Sequence, residues 1–389
     1  MKKIILSTGF ALLSFNLSTQ AEAASFSKLY VFGDSLSDSG NIFNVTTALN
    51  QIPPQLIPPG FEIPPPTPPV PPYDEDGRFS NGLVWVDYLA ENLGLTSTPS
   101  TELSVLFPGS QDKSFLTLDP NSGELIISPF FNGMTATQSV NFAFGASQTG
   151  LVSAEGIPGL LGQVGSFIND LEFANQFADP EALYIVSSGP NDYQTVPNPN
   201  PEQSVSNIVT SIQALYNSGA RNIMVSNLPN LGETPRALGP FAPVPSAPLS
   251  AVTQVHNSLL TEALNNLSLL PDINIIPVDM FSLYTQIFND PEPFGFTTVT
   301  EACLSPDPSL FPNLTPPEGV TFTVCDRPDK YVFWDGIHPT TASHKVLAEF
   351  ALAQLAQPES VPEPRNSIAL GIFTLGGLLY KTRNSSKKC

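Results

Sequence analysis

The chain is poor in basic residues: among its 389 amino acids, 15 are lysine or arginine and 35 are aspartate or glutamate. The formal net charge is therefore −20 at pH 7. A surface this negative repels the phosphates of nucleic acids and of anionic lipid headgroups, so we expect no nucleic-acid partner. The charge favours solubility outside the cell and indicates no particular substrate.

Histidine and cysteine are also scarce, with three residues of each. No spacing among them resembles a zinc motif, and the sequence therefore predicts no metal and no cofactor. Cys303 and Cys325 lie in the body of the chain, whereas Cys389 is its last residue. An oxidising compartment allows a Cys303–Cys325 disulfide, which would leave Cys389 either free or discarded.

Residues 1–23 have the features of a secretory signal. Lys2 and Lys3 precede the mostly apolar stretch Ile4–Phe15, and Ala21-Glu22-Ala23 fits a small-x-small cleavage site. The alternative is a buried amphipathic helix, but no acidic residue interrupts the apolar stretch. The pattern favours export of the protein and removal of this segment.

The C-terminal end has an equally distinctive order. Val361-Pro362-Glu363-Pro364 is followed by the uncharged run Ile368–Tyr380 and then by a basic tail. As a helix this run rises only about 20 Å, against roughly 30 Å of membrane hydrocarbon. The order resembles the PEP-CTERM sorting signal of Gram-negative bacteria, including cyanobacteria. The resemblance implies an exosortase-like processing enzyme as partner, transient membrane association through residues 357–389, and a secreted or envelope-attached product; a plain membrane anchor is the alternative.

Residues 24–356 alternate short apolar runs with longer helical patterns, which indicates an α/β domain with a parallel sheet. Several runs are apolar throughout, as strands buried on both faces are. The predicted strands are Lys28–Phe32, Ser139–Phe144, Ala182–Ser187, Asn222–Ser226 and Asn274–Val278. The predicted helices are Leu83–Leu93, Leu161–Phe177, Glu202–Ser218, Val252–Leu269 and Ala342–Leu355.

A proline-rich segment, residues 53–72, interrupts this alternation with eleven of the 41 prolines. Proline at this density excludes a helix or a central strand, so we expect an extended insertion loop outside the sheet. The loop is either a tolerated surface insertion or, because it begins soon after Ser35, a lid or wall beside the substrate cleft.

The run FGDSLSDSGN at Phe32–Asn41 directly follows an apolar strand and holds the small residues that a tight strand-to-helix turn needs. In open α/β sheets, reactive groups gather beyond the carboxyl ends of the strands. Ser35 at this place would carry its backbone N–H near the start of the next helix, where it could stabilise a developing oxyanion. Taken alone, the run fits a helix N-cap serine equally well.

Further blocks follow this run in order along the chain. They are GRFSNG at Gly77–Gly82, NFAFGA at Asn141–Ala146, GPND at Gly189–Asp192 and DGIHPT at Asp335–Thr340. Together with the Gly33-Asp34-Ser35-Leu36 core, they resemble the GDSL (SGNH) hydrolases over nearly the whole body of the chain. The resemblance implies a three-layer α/β/α, flavodoxin-like fold with a five-stranded parallel sheet. No Gly-x-Ser-x-Gly elbow is present, which argues against an ordinary α/β-hydrolase fold.

The resemblance also implies a role for each site residue. Ser35 would be the nucleophile and His338 the base that activates it, with Asp335 orienting the imidazole. The oxyanion hole would be formed by the N–H groups of Ser35 and Gly145 and by the amide of Asn191. A glycine suits this place because its backbone can approach the acyl oxygen closely.

We therefore expect an exported serine esterase or lipase that hydrolyses carboxylic esters of lipids or acylated small molecules through an acyl-serine intermediate. The alternatives are a carbohydrate acetyl esterase or acyltransferase of the same fold, and a non-catalytic cell-surface binding protein. His256 and His344 lie in predicted helices and are expected to be structural or surface residues. The candidates for an acyl pocket are Phe43, Phe79 and Phe144.

Overall fold

The computed structural model describes residues 25–51, 57, 62–103, 116–118, 125–127, 133–153, 156–194 and 199–355. The predicted signal, residues 1–23, and the predicted sorting tail, residues 357–389, lie outside these described residues. The same holds for residues 52–56 and 58–61 of the proline-rich segment. Within the described ranges, no helix combines the length and the apolarity needed to cross a membrane.

A five-stranded parallel sheet forms the centre of the domain. Its strands are β1 (Leu29–Gly33), β2 (Val140–Asn141), β3 (Leu183–Ser187), β4 (Asn222–Ser226) and β5 (Asn274–Val278). Their spatial order is β2-β1-β3-β4-β5, which is the flavodoxin-like order. The predicted fold is confirmed. Strand β2 is shorter than predicted, although the N–H groups of Phe142 and Phe144 still bond to β1.

Side chains of the sheet alternate between two cores. In β1, Leu29 and Val31 contribute to one core, whereas Tyr30 and Phe32 contribute to the other. All four are at most 1% exposed, and the alternation follows from the two-residue period of a strand. Burial on both faces explains why the strands read as continuous apolar runs in the sequence.

Helices cover both faces of the sheet. They are α1 (Asn41–Leu49), α2 (Trp85–Asn92), α3 (Leu160–Phe173), α4 (Pro201–Ser218), α5 (Ser246–Leu267), α6 (Met280–Asn289) and α7 (Thr341–Leu355). Helices α2, α6 and α7 pack on the face of Leu29, and α3, α4 and α5 pack on the opposite face. One-turn helices occur at Ser100–Leu103 and Pro235–Leu238.

Helices α1 and α6 were not predicted. In α1 the β-branched residues Val45, Thr46 and Thr47 lower the intrinsic preference for a helix. Packing decides the outcome instead, because Ile42, Val45 and Leu49 are buried in an apolar cluster together with side chains from other loops.

Among the described residues, three short strand pairs lie outside the main sheet. They are Thr298–Ala302 with Tyr331–Phe333, Leu304–Ser305 with Thr323–Val324, and Leu116–Leu118 with Leu125–Ile127. A disulfide joins Cys303, the residue between the strands of the first and second pairs, to Cys325, which directly follows the second pair. The N–H of Cys303 donates to the carbonyl of Phe333 at 3.1 Å. The disulfide-closed segment is thus attached to the strand that leads into residue 335.

The described second half of the proline-rich segment packs along α1. The N–H of Thr67 donates to Thr46 Oγ1 at 2.9 Å, and Asn50 Nδ2 donates to the carbonyl of Pro64 at 2.7 Å. Ile63 packs against the same apolar cluster as α1. Tyr73 directly follows the segment, and its hydroxyl donates to Asp335 Oδ2. This half therefore leads directly to the site.

Reduction of the Cys303–Cys325 disulfide is expected to lower the free energy of unfolding by about 3 kcal/mol. The reason is that the bond restricts the unfolded chain across a sequence separation of 22 residues. Urea unfolding of the protein with and without reductant measures the change. The double variant Cys303→Ala/Cys325→Ala is the control and should not respond to reductant. An unchanged unfolding midpoint of the native protein would contradict the expected stabilisation.

Candidate active site

Ser35 lies in the turn between β1 and α1, at the carboxyl edge of the sheet. The turn packs tightly against β3, since a Cβ at Gly33 would collide with the carbonyl oxygen of Ser187. Ser35 is 7% exposed, and its backbone N–H has no hydrogen-bond partner among the described residues. The turn therefore presents a hydroxyl and a free N–H together.

The imidazole of His338 links Ser35 to Asp335. Its Nε2 lies 3.0 Å from Ser35 Oγ, and its Nδ1 lies 2.6 Å from Asp335 Oδ2. Since the carboxylate accepts from Nδ1, Nε2 is the nitrogen that can take the serine proton. The structure thus brings together the three side chains predicted as catalytic, although Ser35 and His338 are 303 positions apart.

Asp335 is completely buried, and donors surround its carboxylate. Its Oδ1 accepts the N–H groups of Ile337 at 2.8 Å and His338 at 2.7 Å. Its Oδ2 accepts the hydroxyl of Tyr73 at 2.5 Å as well as the imidazole. Burial by itself would raise the pKa of Asp335, but the imidazole of His338 and these donors hold it below its ordinary value. The group is therefore ionised and fixed in orientation.

Tyr73 is a site residue that no sequence pattern predicted. It contacts Asp335 across 262 positions of sequence, and its ring packs edge-on against Trp334 with centroids 6.4 Å apart. Burial and the charge of Asp335 raise the pKa of Tyr73 well above its ordinary value, so the hydroxyl remains a donor. Its position directly after the proline-rich segment was the only feature of the sequence that pointed to a role at the site.

A second carboxylate, that of Asp307, bonds to the loop of residues 335–338. Asp307 Oδ1 accepts the N–H of Gly336 at 2.7 Å, and its Oδ2 accepts the hydroxyl of Ser309 at 2.8 Å. Burial and the nearby charge of Asp335 raise the pKa of Asp307. A side chain at Gly336 would collide with Asp307. The disulfide-closed segment, which contains Asp307, therefore supports the loop directly.

Gly145, predicted as an oxyanion donor, has a different partner. Its N–H donates to Asp38 Oδ2 at 2.7 Å and is not free for an acyl oxygen. Asp38 also accepts the N–H groups of Gly40 and Asn41 at the start of α1, at 2.8 and 2.5 Å. Burial raises the pKa of Asp38 to about 6, against the opposing effect of its backbone donors. Asp38 thus joins the turn after β1 to the turn after β2.

The missing side chain of Gly145 makes room for Phe79. A Cβ at this position would collide with the Phe79 ring, and that ring lies 5.1 Å from the imidazole of His338, centroid to centroid. The glycine therefore lets an aromatic ring support the catalytic base, which is a packing role rather than an oxyanion role.

Free donors lie next to Gly145. Ala146 has a left-handed backbone with φ of 62°, and its N–H has no hydrogen-bond partner among the described residues. Non-glycine residues in this conformation collect at functional sites. Asn191 Nδ2 donates one hydrogen to the carbonyl of Ser147 at 2.9 Å. Its second hydrogen is available, and Asn191 lines the same cleft as Ser35.

A cleft opens to solvent at Ser35 and His338. The phenylalanines predicted for an acyl pocket do not line it, and two of them pack against α1 instead. The phenylalanines that line the cleft are Phe288 and Phe333. Sequence alone did not show which loops face the serine.

Two further aspartates flank the site. Asp34 is 1% exposed and its Oδ2 has no partner among the described residues; burial raises its pKa to about 7. Asp192 anchors the loop of Asn191 by accepting the N–H of Thr149 at 3.1 Å and the hydroxyl of Ser204 at 2.5 Å. In the described part of the chain, no group of three or more side chains could hold a metal ion.

The sequence matches the model of the GDSL-like lipase/acylhydrolase family over residues 29–351. The chain belongs to this family. The match spans all the residues that form the Ser35–His338–Asp335 arrangement. This GDSL hydrolase is therefore a serine hydrolase that acts on ester bonds.

Similar proteins include GDSL esterases/lipases of Arabidopsis thaliana. One is 29% identical over 352 residues, covering 82% of this chain and 87% of the relative. Another is 27% identical over 355 residues, covering 84% of this chain and 90% of the relative. Among solved structures, a lipase/acylhydrolase from Enterococcus faecalis covers 85% of this chain and 95% of its own, with 11% identity and a TM-score of 0.35.

The variant Tyr73→Phe of this GDSL hydrolase is expected to shift the acid limb of kcat/KM to higher pH. Without the hydroxyl, the Asp335 carboxylate loses a donor and stabilises positive charge on the imidazole more strongly. The free energy of unfolding should also fall by about 1.5–3 kcal/mol, as for a hydrogen bond to a charged group. Ester hydrolysis from pH 5 to 9 and urea unfolding measure the two effects.

Tyr193→Phe is the matched control for this prediction. Its hydroxyl is also buried and bonds to His256 Nδ1 at 2.7 Å, away from the reacting groups. This variant should lose stability and keep the native pH profile. A Tyr73→Phe profile that overlays the native one would show that the hydroxyl does not act on the Asp335–His338 pair.

Proposed function

We propose that this GDSL hydrolase is an exported esterase that cleaves carboxylic esters through an acyl-enzyme on Ser35. The observation that carries the proposal is the continuous relay from Ser35 Oγ through the His338 imidazole to Asp335, with distances of 3.0 and 2.6 Å. A weakly nucleophilic hydroxyl becomes reactive when an adjacent, oriented imidazole accepts its proton.

Acylation begins when Ser35 Oγ attacks the ester carbonyl carbon and His338 Nε2 takes the hydroxyl proton. The carbonyl oxygen becomes the negative oxygen of a tetrahedral intermediate. His338 then returns the proton to the alcohol oxygen as that C–O bond breaks, and the acyl group remains on Ser35. Water repeats the two steps to release the acid. Asp335 stays ionised throughout and stabilises the imidazolium.

The negative oxygen needs preorganised donors. We assign them as the N–H groups of Ser35 and Ala146 and the amide Nδ2 of Asn191. Ala146 replaces Gly145 in this assignment because the Gly145 N–H already donates to Asp38. The two backbone N–H groups have no other partner among the described residues, so no bond must break before they bind an oxyanion.

The lining of the cleft supports a lipolytic or general esterase. Its walls include several apolar side chains, which favour an ester with a hydrocarbon part. Carbohydrate deacetylation is the second candidate, supported by Gln194, Asn230 and Thr234, which also line the cleft. The complete relay argues against a non-catalytic binding protein, because such a protein has no need of an oriented base.

Export is part of the proposal. The signal-like order of residues 1–23 supports it, as does the Cys303–Cys325 disulfide, because disulfides persist in oxidising compartments. The Pro-Glu-Pro, apolar and basic order within residues 357–389 supports processing by an exosortase-like enzyme after transient membrane association. The product would be secreted by, or attached to the envelope of, a Gram-negative bacterium.

A fluorophosphonate probe is expected to modify Ser35 alone, because among the described serines only Ser35 lies within hydrogen-bond distance of an imidazole nitrogen, at 3.0 Å. Mass spectrometry of the digested adduct locates the modified peptide, and Ser35→Ala should abolish labelling. Ser39 and Ser147 are nearby internal controls whose hydroxyls donate to Asp87 and to the carbonyl of Pro158. An adduct on either, or none on folded protein, would overturn the proposed mechanism.

Asn191→Ala is expected to lower kcat by about 10²–10³-fold and to leave KM nearly unchanged. The amide would bind charge that develops only in the transition state, so its removal spares ground-state binding. Steady-state kinetics on one soluble ester, with thermal melts to confirm folding, tests this. Asn222→Ala is the control, since Asn222 donates to the carbonyl of Pro180 at 2.9 Å, at the opposite end of the sheet. A raised KM with intact kcat would make Asn191 a binding residue only.

A further inference from the structure

A buried glutamine, Gln163, bonds to two different loops of the site. It lies in the first turn of α3 and is 1% exposed. The residues that line the cleft do not include it, so a substrate at Ser35 does not touch its side chain. A polar group buried this deeply destabilises the folded state unless it is paired. The partners of the Gln163 amide therefore determine what this residue contributes.

The amide pairs with both polar groups of the Gly33 backbone. Its Oε1 accepts the N–H of Gly33 at 2.8 Å, and its Nε2 donates to the Gly33 carbonyl at 2.8 Å. That carbonyl also accepts the N–H of Phe144, at the longer distance of 3.3 Å. Strand β2 ends at Asn141, which is opposite Val31, so no residue of β2 lies opposite Gly33. Gln163 thus holds the end of β1, two residues before the nucleophile.

The same amide bonds to the loop that carries the proposed oxyanion donors. Gln163 Nε2 donates to Ser147 Oγ at 2.9 Å and, less closely, to the carbonyl of Pro158 at 3.1 Å. Ser147 directly follows Ala146, whose N–H is one assigned donor. The carbonyl of Ser147 accepts the amide of Asn191, a second assigned donor, at 2.9 Å. A displacement of Ser147 would therefore move two of the three donors.

The separation of these two loops matters for the reaction. Ser35 Oγ attacks the ester carbonyl carbon while the donors bind the carbonyl oxygen, and these two atoms are only about 1.2 Å apart. The turn of Ser35 and the loop of Ser147 must therefore stay in register to a fraction of an ångström. A misplacement of about 1 Å can cost roughly 10²-fold in rate. The buried side chain that bonds to both loops is well placed to prevent it.

We propose that Gln163 is a positioning residue that holds the Ser35 turn and the oxyanion donors at the separation that the tetrahedral intermediate requires. The inference rests on the proposed acyl-serine mechanism, since that intermediate carries the oxygen that the donors bind. Gln163 contacts neither the substrate nor the reacting atoms. It acts through Gly33 and Ser147 and transfers no proton.

Gln163→Met keeps the length of the side chain and removes its amide. It is expected to lower kcat for nitrophenyl acetate roughly 10- to 100-fold, because the donors no longer meet the oxyanion accurately. KM should change little, since the displaced groups bind charge that develops only in the transition state. Steady-state kinetics, with thermal melts to confirm folding, measure both parameters.

A double-mutant cycle with Asn191→Ala separates positioning from general destabilisation. Losses at independent sites multiply, whereas losses within one hydrogen-bond network do not. If Gln163 acts through the Asn191 amide, the factor by which Gln163→Met lowers kcat should be at least about 3-fold smaller in the Asn191→Ala background than in the native one. A general loosening of the fold would give the same factor in both backgrounds.

Asp170→Leu is the matched control on the same helix. Asp170 is 4% exposed, and its carboxylate accepts the N–H groups of Gly133 at 2.7 Å and Thr135 at 2.9 Å. None of these three residues lines the cleft. The variant should lose stability and keep the native kcat and KM. A Gln163→Met protein that does not fold is replaced in the cycle by Ser147→Ala, which removes one bond of Gln163 and should lower kcat about 2- to 10-fold.

Two results would overturn the inference. One is a native kcat in folded Gln163→Met, or in Ser147→Ala where that variant takes its place; the other is full multiplication of the two losses in the cycle. Either result, in an enzyme that hydrolyses nitrophenyl acetate and is labelled at Ser35, refutes the positioning role and leaves the esterase intact. A native protein that hydrolyses no ester and takes no label at Ser35 refutes the proposed function itself.

Discussion

One hydrogen bond, 3.0 Å from His338 Nε2 to Ser35 Oγ, connects the first and last loops of the domain across 303 positions. Proton transfer requires this separation to be maintained, and small displacements of reacting groups lower rates steeply. The parallel sheet makes the contact possible because the turns after its strands meet at one edge. Because both faces of the sheet are buried, its strands are held in fixed positions. The loops that carry the reacting groups begin at these strands and are therefore held in place as well.

The groups behind this bond are carboxylates held by fixed donors. Asp38, Asp307 and Asp335 each accept at least one backbone N–H. Among the described residues, none of the three is paired with a lysine or arginine. A backbone donor loses no side-chain entropy when it binds, whereas lysine and arginine do. A chain with few basic residues can thus still orient buried carboxylates accurately.

Sequence patterns predicted the parts of the site that depend on short spacing. The turn at Ser35 and the pair Asp335 and His338 are local, so a few residues determine them. The contact of Tyr73 with Asp335 spans 262 positions, and no local pattern states which loops will meet. At Gly145 the sequence correctly predicted that another group would lie close to the backbone. That group is the Phe79 ring and not, as predicted, the acyl oxygen. A glycine in the sequence indicates that another group packs closely against the backbone but does not identify that group.

Unpaired buried polar atoms and left-handed backbone occur both at the candidate site and away from it. Folding alone favours an apolar residue at position 344, as at the buried Leu347 and Ala348 of the same helix. Among the described residues neither ring nitrogen of His344 has a hydrogen-bond partner, which destabilises the folded state. The left-handed backbone of Ala146 costs about 1–2 kcal/mol and leaves its N–H free. The carboxylates of Asp335 and Asp307, by contrast, are bonded to fixed backbone donors, which keeps the catalytic base in position.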